Sequence, residues 1–308
     1  MSLRVGLVVA LLAGVLFCSS ARATSSQVPL PPGDPYPPPT APSYAILKIP
    51  DVAYGNDPLQ RMDIYRPVGA PGNAPVIFMV HGGGWYQGDK ALPNVVENKV
   101  THWVPLGYAL VSVNYRLVPQ VHPLEQAGDV ANALSYAQSH AAQWGLDPSR
   151  FVLMGHSAGG HLVALLNASP AIAASALAQP WLGTVDLDSA AYNVVQAMSG
   201  PHPSLFDDAF GDDPAYWVAA SPYQQLSAAT EPMLLVCSTQ RNESCPQANA
   251  FAQKDDAFGA YVDVLPIDDS HGDINATVGL NNDLTIEIDA FLQALGFPAY
   301  GPPGPVMQ

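Results

Sequence analysis

A short apolar run, a serine between glycines and a helical pattern follow one another between residues 151 and 167. Residues 151–154 have the composition of a buried strand, and they lead into the turn Gly155-His156-Ser157-Ala158-Gly159. Glycines flank the serine because larger side chains would clash in so tight a turn, which lifts Ser157 clear of the sheet. This strand-turn-helix restricts the chain to an α/β architecture and predicts that Ser157 is a nucleophile. The alternative is a glycine-rich turn that contains an incidental serine.

Apolar segments and helical patterns alternate along the rest of the chain, without a repeat or an internal linker. Four of the apolar segments are rich in Val, Leu, Ile or Met and bounded by Gly, Pro or Asn, which is typical of parallel strands buried on both faces. The sequence therefore predicts one α/β domain. The predicted strands are residues 62–65, 76–80, 110–113, 151–154, 184–187, 233–237 and 262–265, and the predicted helices are residues 129–144, 158–167 and 281–295.

Residues 1–23 have the pattern of a Sec signal peptide. Arg4 precedes an apolar run at residues 5–17, and small residues then lead to Ala21-Arg22-Ala23, so cleavage after Ala23 and export are expected. A membrane anchor is the alternative, but the run is shorter than the ~20 residues that a spanning helix needs. Residues 24–43 are predicted to be a proline-rich leader, residues 44–297 the α/β domain, and residues 298–308 a proline-rich tail. No segment of the mature chain is predicted to span a membrane.

The net charge limits the partners that the chain can bind, and its cysteines are informative about an oxidising compartment. The 11 basic and 26 acidic residues give a net charge of −15. This charge would repel a phosphate backbone, so nucleic acid is not expected as a partner. Removal of the signal peptide takes away Cys18 and leaves Cys237 and Cys245. Two cysteines at this spacing can form a disulfide in an oxidising compartment, and two buried thiols are the alternative.

A second glycine-rich motif follows the predicted strand at residues 76–80. It reads His81-Gly82-Gly83-Gly84-Trp85. Acyl transfer creates an oxyanion, and glycines allow backbone N–H groups to approach it closely. We therefore predict that the N–H groups of Gly83, Gly84 and Ala158 form an oxyanion hole. A flexible loop is the alternative.

Together these motifs resemble those of the α/β-hydrolase superfamily, and within it the esterase and arylformamidase-like group related to hormone-sensitive lipase. The resemblance is carried by His81-Gly82-Gly83-Gly84-Trp85, Gly88-Asp89-Lys90, Val113-Asn114-Tyr115-Arg116-Leu117 and the sequence GHSAGGHL at residues 155–162. It implies a mostly parallel, eight-stranded central sheet with helices on both faces and a serine hydrolase. The hormone-sensitive lipase branch usually carries an acidic residue at the position of His156, which places this chain nearer the arylformamidase-like side.

A nucleophilic serine needs a general base, and the superfamily order along the chain is serine, acid, histidine. Only His271 lies beyond the last predicted strand, in the loop Asp269-Ser270-His271-Gly272-Asp273. We therefore predict His271 as the base. The other histidines are expected to be packing or surface residues, and they are His81, His102, His122, His140, His156, His161 and His202.

The acid departs from the superfamily pattern, which implies an aspartate a few residues after the strand at 233–237. At that place the chain reads Ser238-Thr239-Gln240-Arg241-Asn242-Glu243-Ser244-Cys245-Pro246, with Glu243 as its one carboxylate. We predict that Glu243 orients His271 and that a bridge from Cys237 to Cys245 would hold its loop in place. Asp268 and Asp269, in the histidine's own loop, are the alternatives.

The sequence thus predicts an exported serine hydrolase that cleaves a small-molecule carboxylic ester through an acyl-enzyme intermediate. Ser157 would attack the carbonyl, His271 would transfer the proton and Glu243 would orient the imidazole. One alternative is an arylformamidase-type amide or formamide hydrolase, and the other is a catalytically silent hydrolase fold used for binding. No cofactor is expected, and the chain lacks the His-x-x-x-His and Cys-x-x-Cys spacings of metal sites.

Overall fold

A single sheet organises the part of the chain that the structure describes, residues 42–298. The structure is a computed structural model. The predicted signal peptide lies outside the described residues, as do nearly all of the predicted leader and tail. Within the described residues the strands are β1 Ala45–Ala53, β2 Arg61–Val68, β3 Ala74–Val80, β4 Ala109–Val113, β5 Leu146–His156, β6 Gly183–Leu187, β7 Met233–Ser238 and β8 Val262–Ile267.

The strand order in the sheet is β1-β2-β4-β3-β5-β6-β7-β8. β2 runs antiparallel to both of its neighbours, β1 and β4. Every other neighbouring pair is parallel. The sheet is therefore mostly parallel, with its antiparallel pairs at the β1 side.

Helices connect the strands and cover the sheet. Within residues 42–298 none of them combines the length and the apolar composition needed to cross a membrane. They are α1 Pro93–Trp103, α2 Pro123–His140, α3 Ala158–Ala168, α4 Pro170–Ser175, α5 Val194–Met198, α6 Ser204–Phe210, α7 Pro214–Ala219, α8 Pro222–Gln225, α9 Ser244–Asp256, α10 His271–Thr277 and α11 Asp283–Ala294.

The central strands are buried on both faces because their side chains alternate between two layers of helices. In β3, Val76, Phe78 and Val80 belong to a core that also contains residues of α2 and α3. Ile77 and Met79 point the other way, into a core shared with α1, α10 and α11. Every residue of β3 is buried, as expected for a parallel strand between two helical layers.

The predicted fold class is confirmed, since the sheet is mostly parallel and has helices on both faces. Each of the seven predicted strands lies within an observed strand. The helix predicted at residues 129–144 begins earlier, at Pro123, and its last four residues form a 3-10 turn. β1 is not among the predicted strands, because most of its residues are exposed at the edge of the sheet and carry no buried periodicity.

Candidate active site

Loops that are far apart in sequence meet at one edge of the sheet. They follow β3, β5, β6, β7 and β8, which are consecutive neighbours. Because the carboxyl ends of parallel strands lie at the same edge, the residues after these strands come together there. Ser157 follows β5, Asp188 follows β6 and His271 follows β8.

Ser157 lies at a sharp turn between β5 and α3. Its backbone has φ 54° and ψ −119°, a conformation that residues other than glycine seldom adopt. The turn is held by a 3.0 Å hydrogen bond from the Ser157 N–H to the carbonyl of Leu187. Both flanking glycines are required: a Cβ on Gly155 would lie 2.3 Å from the Gly159 oxygen, and a Cβ on Gly159 would lie 2.3 Å from the Val80 oxygen. The predicted strand-turn-helix around the serine is present.

The imidazole of His271 faces the Ser157 hydroxyl. His271 is the first residue of α10, and the Ser270 hydroxyl caps this helix by accepting a 3.2 Å hydrogen bond from the Asp273 N–H. The Nε2 of His271 lies 2.9 Å from the Oγ of Ser157. The Nε2 of His156 donates to the His271 carbonyl at 2.9 Å. Burial lowers the pKa of His156 to about 3, so this ring is neutral near pH 7 and acts as a fixed support.

The carboxylate beside His271 belongs to Asp188. Its Oδ2 lies 2.6 Å from the His271 Nδ1 and 2.7 Å from the Arg241 Nη1. Its Oδ1 accepts from the Ser238 N–H at 2.9 Å and from the Ser244 hydroxyl. Burial alone would raise the pKa of Asp188, but these donors outweigh it and hold the pKa of the carboxyl well below its usual range. The carboxylate therefore keeps the proton of the imidazole on Nδ1 and leaves Nε2 to accept from the serine.

Glu243 does not occupy the place predicted for it. It is exposed and directly precedes α9. Among the described residues it makes no hydrogen bond or ion pair with His271, whose Nδ1 is taken by Asp188. Within residues 42–298, Asp268 and Asp269 make no hydrogen bond or ion pair with the imidazole either; Asp268 accepts instead from Thr239, and the Asp269 carbonyl accepts from Ser238. The prediction that Glu243 orients His271 is wrong, because the buried carboxylate after β6 fills that position.

A signal for Asp188 exists in the sequence. It directly follows the predicted strand at residues 184–187, and it lies between Ser157 and His271 in chain order. A carboxylate after a buried parallel strand reaches the same sheet edge as the serine. The superfamily resemblance points instead to the loop after β7, and that expectation does not hold for this chain.

The glycine loop after β3 reaches the serine turn. A Cβ on Gly82 would lie 2.9 Å from the Cβ of Ser157. Gly83 and Gly84 have φ of 120° and 61°, which glycine adopts at little cost. Within residues 42–298 the N–H groups of Gly83, Gly84 and Ala158 donate to no acceptor. All three predicted donors are thus available to bind an oxyanion.

Aromatic side chains brace this glycine loop. The His81 ring stacks on the Tyr115 ring with centroids 4.5 Å apart, and the Tyr115 hydroxyl donates to the His81 carbonyl at 3.0 Å. The Nε1 of Trp85 donates to the Nδ1 of His161 at 3.2 Å, and the opposite nitrogen of that ring donates to the carbonyl of Ala220 at 2.7 Å. Burial lowers the pKa of His161 to about 4, so its ring is neutral. Both histidines therefore pack and orient the loop.

A cavity of about 460 Å³ adjoins the site on the Arg241 side. Arg241 lines it, and the Nη1 of this residue lies 3.1 Å from the His271 Nδ1. The rest of the lining mixes amide, carboxylate and apolar side chains, including Gln196, Phe206 and Glu243. Neither Ser157 nor His271 lines the cavity, so Arg241 is the residue that connects it to the site. Within residues 42–298 no group of His, Cys, Asp or Glu is arranged to hold a metal ion.

Two cysteines lie at the ends of the loop after β7. The Cα atoms of Cys237 and Cys245 are 5.0 Å apart, which is within the range for a disulfide. The loop between them supplies three donors to the buried carboxylate after β6, from Ser238, Arg241 and Ser244. The conformation of this loop therefore determines which hydrogen bonds the Asp188 carboxylate accepts.

The mostly parallel eight-stranded sheet, with a serine elbow after β5 and a histidine after β8, defines an α/β-hydrolase, as the resemblance implied. The chain belongs to the BD-FAE family, which matches residues 62–254. This match includes Ser157 and Asp188 and ends before His271.

Curated relatives match over different lengths. The chain is 30% identical over 247 residues to the esterase LipQ of Mycobacterium tuberculosis, covering 74% of this chain and 58% of LipQ. It is 31% identical over 113 residues to the isoprenylcysteine alpha-carbonyl methylesterase ICME of Arabidopsis thaliana, covering 37% of this chain and 26% of that protein. The chain therefore spans less than two thirds of the length of these curated relatives.

Solved structures share the fold. A truncated carbohydrate esterase from gut microbiota aligns with a TM-score of 0.71 at 18% identity, covering 82% of this chain and 97% of that one. The apo form of Thermogutta terrifontis esterase 2 aligns with a TM-score of 0.67 at 22% identity, covering 86% of this chain and 99% of that one. At these identities the likeness is one of architecture.

Proposed function

We propose that the protein is a serine hydrolase that cleaves carboxylic esters, with Ser157 as nucleophile, His271 as base and Asp188 as the acid that orients it. One observation carries the proposal: two consecutive hydrogen bonds link the three side chains. The Ser157 Oγ lies 2.9 Å from the His271 Nε2, and the His271 Nδ1 lies 2.6 Å from the Asp188 Oδ2. The relatives that are named as esterases support the reaction class.

The first half-reaction forms an acyl-enzyme. The Ser157 Oγ attacks the ester carbonyl carbon while its proton passes to the His271 Nε2. The carbonyl oxygen becomes an oxyanion, and the N–H groups of Gly83, Gly84 and Ala158 stabilise it. The bond to the leaving oxygen then breaks as His271 returns the proton to that oxygen. The products are a free alcohol and an ester on Ser157.

The second half-reaction releases the acid. A water molecule gives a proton to His271 and attacks the carbonyl carbon of the acyl-enzyme. The bond to the Ser157 oxygen breaks, and His271 returns the proton to the serine. Throughout both steps Asp188 stays ionised, because its four donors favour the charged form. Its charge stabilises the imidazolium that forms in each transition state.

The cavity beside Arg241 is our proposed site for one part of the ester. It is lined by Arg241, whose Nη1 lies 3.1 Å from the His271 Nδ1, and its volume of about 460 Å³ lies in the range of small-molecule pockets. Its mixture of amide, charged and apolar side chains, with Gln196 and Phe206 among them, suits a substrate that has both polar and apolar parts.

A panel of aryl esters tests the reaction class. The wild-type chain is expected to release the phenol from aryl esters of straight-chain acids, and the panel should cover acetyl to dodecanoyl esters and include an aryl formamide. Labelling by a fluorophosphonate probe, read as a mass increase on the peptide that contains Ser157, should accompany turnover. Cleavage of the formamide alone would replace the esterase by an amide hydrolase. Absence of both labelling and turnover would favour the alternative of a catalytically silent hydrolase fold that is used for binding.

We also propose that the mature chain is exported and carries a disulfide between Cys237 and Cys245. The apolar run at residues 5–17 and the small residues before position 24 support export. The Cα separation of 5.0 Å supports the disulfide. The two proposals are consistent with each other, because export takes the chain to an oxidising compartment, where disulfides persist.

Intact-mass and peptide analysis of the exported protein tests both the cleavage site and the disulfide. The mature chain is expected to begin at Thr24, and the Cys237 and Cys245 peptides should be linked until a reductant is added. Closing so short a loop contributes about 2 to 3 kcal/mol by the chain-entropy estimate. Reduction should therefore lower Tm by roughly 4 to 12 °C. Two free thiols in protein recovered from an oxidising compartment would contradict the disulfide.

A further inference from the structure

A lysine is buried under the helix that carries His271. Lys99 lies on α1 and is 1% exposed. Within residues 42–298 no carboxylate forms an ion pair with it. A buried ammonium without a counter-ion is unfavourable unless other groups solvate it. The proposed ester hydrolysis does not use this side chain, so its retention in the core needs another explanation.

Three oxygen atoms surround the Lys99 ammonium. Its Nζ donates to the Asn275 carbonyl at 2.6 Å, to the Asn275 Oδ1 at 3.0 Å and to the Asn94 carbonyl at 3.3 Å. Asn275 lies in the last turn of α10, and His271 is the first residue of that helix. Carbonyls in the last turn of a helix lack intrahelical partners and carry partial negative charge. The lysine therefore binds the end of α10 that is opposite to His271.

The residue next to this lysine makes a neutral contact with the same helix. The Nδ2 of Asn98 donates to the Ala276 carbonyl at 2.7 Å. The chain after α10 also packs closely on α1, since a Cβ on Gly279 would lie 2.3 Å from the Asn98 carbonyl oxygen. α1 thus holds α10 through one charged contact and one neutral contact.

We propose that Lys99 is a positioning residue for His271: its ammonium holds the C-terminal end of α10 and thereby sets the distance between His271 and Ser157. This inference rests on the proposed function. α10 has only 7 residues, so a displacement of its last turn is transmitted to its first. A misplacement of a reacting group by about 1 Å can lower the rate about 100-fold.

Protonation controls how well Lys99 holds the helix. Burial lowers the pKa of Lys99 to about 7. An ammonium has three N–H donors for the three oxygen atoms, whereas the neutral amine has two donors and a lone pair. The contact therefore weakens as the pH rises above about 7, and kcat is expected to fall there.

Stability should respond to pH in the opposite direction. The pKa of Lys99 is about 7 in the folded chain, against the ordinary lysine value of 10.5. Between these two values the unfolded chain binds more protons, so this lysine makes the free energy of unfolding rise with pH. Falling kcat together with rising stability distinguishes positioning from a purely structural role.

Other titratable groups lie on the elements packed around this lysine. His156, at the end of β5, interacts electrostatically with it, but a pKa of about 3 keeps that ring neutral over the range of interest. Asp289 is 2.9 Å from the His102 Nε2. The titratable residues on α1, α10 and α11 besides Lys99 are Glu97, His102, His271, Asp273, Asp283, Glu287 and Asp289.

Steady-state kinetics of Lys99→Met tests the proposal, because methionine has a similar length and no donor. We expect kcat at pH 6 to fall at least tenfold, on the order expected for a misplaced base. KM should change by less than about twofold, since the residue does not touch substrate. The decline of kcat above pH 7 should disappear. In Asn275→Asp, the new carboxylate beside Lys99 should raise the pKa of the lysine and keep its ammonium protonated to a higher pH. The decline of kcat should therefore move at least about one pH unit upward.

Asn98→Ala is the matched control, because it removes the neutral contact between the same two helices. It should lower Tm and leave the pH dependence of kcat unchanged. A folded Lys99→Met variant that keeps the wild-type kcat and pH profile, or changes only as Asn98→Ala does, would overturn the proposal. If Lys99→Met does not fold, Asn275→Asp decides: a shifted decline supports the proposal and an unshifted one overturns it.

Hydrogen exchange separates this proposal from the proposed function. After correction for intrinsic rates, the amides of α10 should exchange faster in Lys99→Met than in wild type, and faster in wild type at pH 8.5 than at pH 6. If exchange behaves so but no ester is cleaved, the proposed function fails and the role of Lys99 in holding α10 stands. If esters are cleaved and exchange in α10 is unchanged, the proposal for Lys99 fails.

Discussion

Replacement of Ser157 by alanine should abolish ester hydrolysis, with kcat lower by on the order of 10⁴-fold or more. The substitution removes the oxygen that forms the acyl-enzyme, and His271 then has no hydroxyl to deprotonate. The fold should persist, because the turn depends on the flanking glycines and on the 3.0 Å bond from the Ser157 N–H to Leu187. Initial rates with 4-nitrophenyl acetate, together with circular dichroism and Tm, measure both effects.

Ser199→Ala is a suitable control for this experiment. Ser199 is exposed, and its hydroxyl donates to the Val195 carbonyl within its own helix region. This variant, purified in parallel, should keep the wild-type rate, which shows that the loss in Ser157→Ala is not caused by the preparation. The loss in Ser157→Ala itself excludes a contaminating esterase. More than about a hundredth of wild-type activity in Ser157→Ala would remove Ser157 from the mechanism.

Asp188→Asn should lower kcat about 10⁴-fold while KM changes little. An amide in this place can present N–H groups to the His271 Nδ1, which favours the wrong tautomer and leaves no charge to stabilise the imidazolium. The substitution also weakens the bonds from Ser238 and Arg241, so Tm should fall as well. Rates normalised to the folded fraction measure the catalytic part.

Glu243→Gln is the matched comparison for the acid. Glu243 is exposed and makes no hydrogen bond or ion pair with His271 among the described residues, so its variant should keep kcat for 4-nitrophenyl acetate within about twofold of the wild-type value. Because Glu243 lines the cavity beside Arg241, any effect of the substitution should fall on KM. The opposite pattern, with an active Asp188→Asn and an inactive Glu243→Gln, would show that the acid comes from the loop after β7 after all.

Most of the sheet could be predicted from the sequence because its strands are buried. Segments such as residues 76–80 and 233–237 are continuous apolar runs, and burial on both faces gives them that composition. β1 lacks this signal because it lies at the sheet edge, where even Ile46 and Leu47 are exposed. The short helices between β6 and β7 were also not predictable, since 4 to 7 residues are too few for a helical period to be recognised.

The nucleophile and the base were easier to predict than the acid. Glycine is sterically required around Ser157, so the local sequence identifies the turn. His271 is the only histidine after β8. A carboxylate needs no such local signature, because it has only to reach the Nδ1 of an imidazole that follows another strand. Asp188 and Glu243 both lie near the carboxyl edge, and only burial and hydrogen bonding distinguish them.

The left-handed backbone at Ser157, with φ 54°, has a consequence for protein engineering. A non-glycine residue in such a conformation costs roughly 1 to 3 kcal/mol, a sizeable part of the roughly 5 to 15 kcal/mol that keeps a typical domain folded. Glycine at this position would relieve that cost. A library screened only for thermal tolerance would therefore favour loss of the serine, and thermostable variants of this chain should be selected with turnover as a simultaneous requirement.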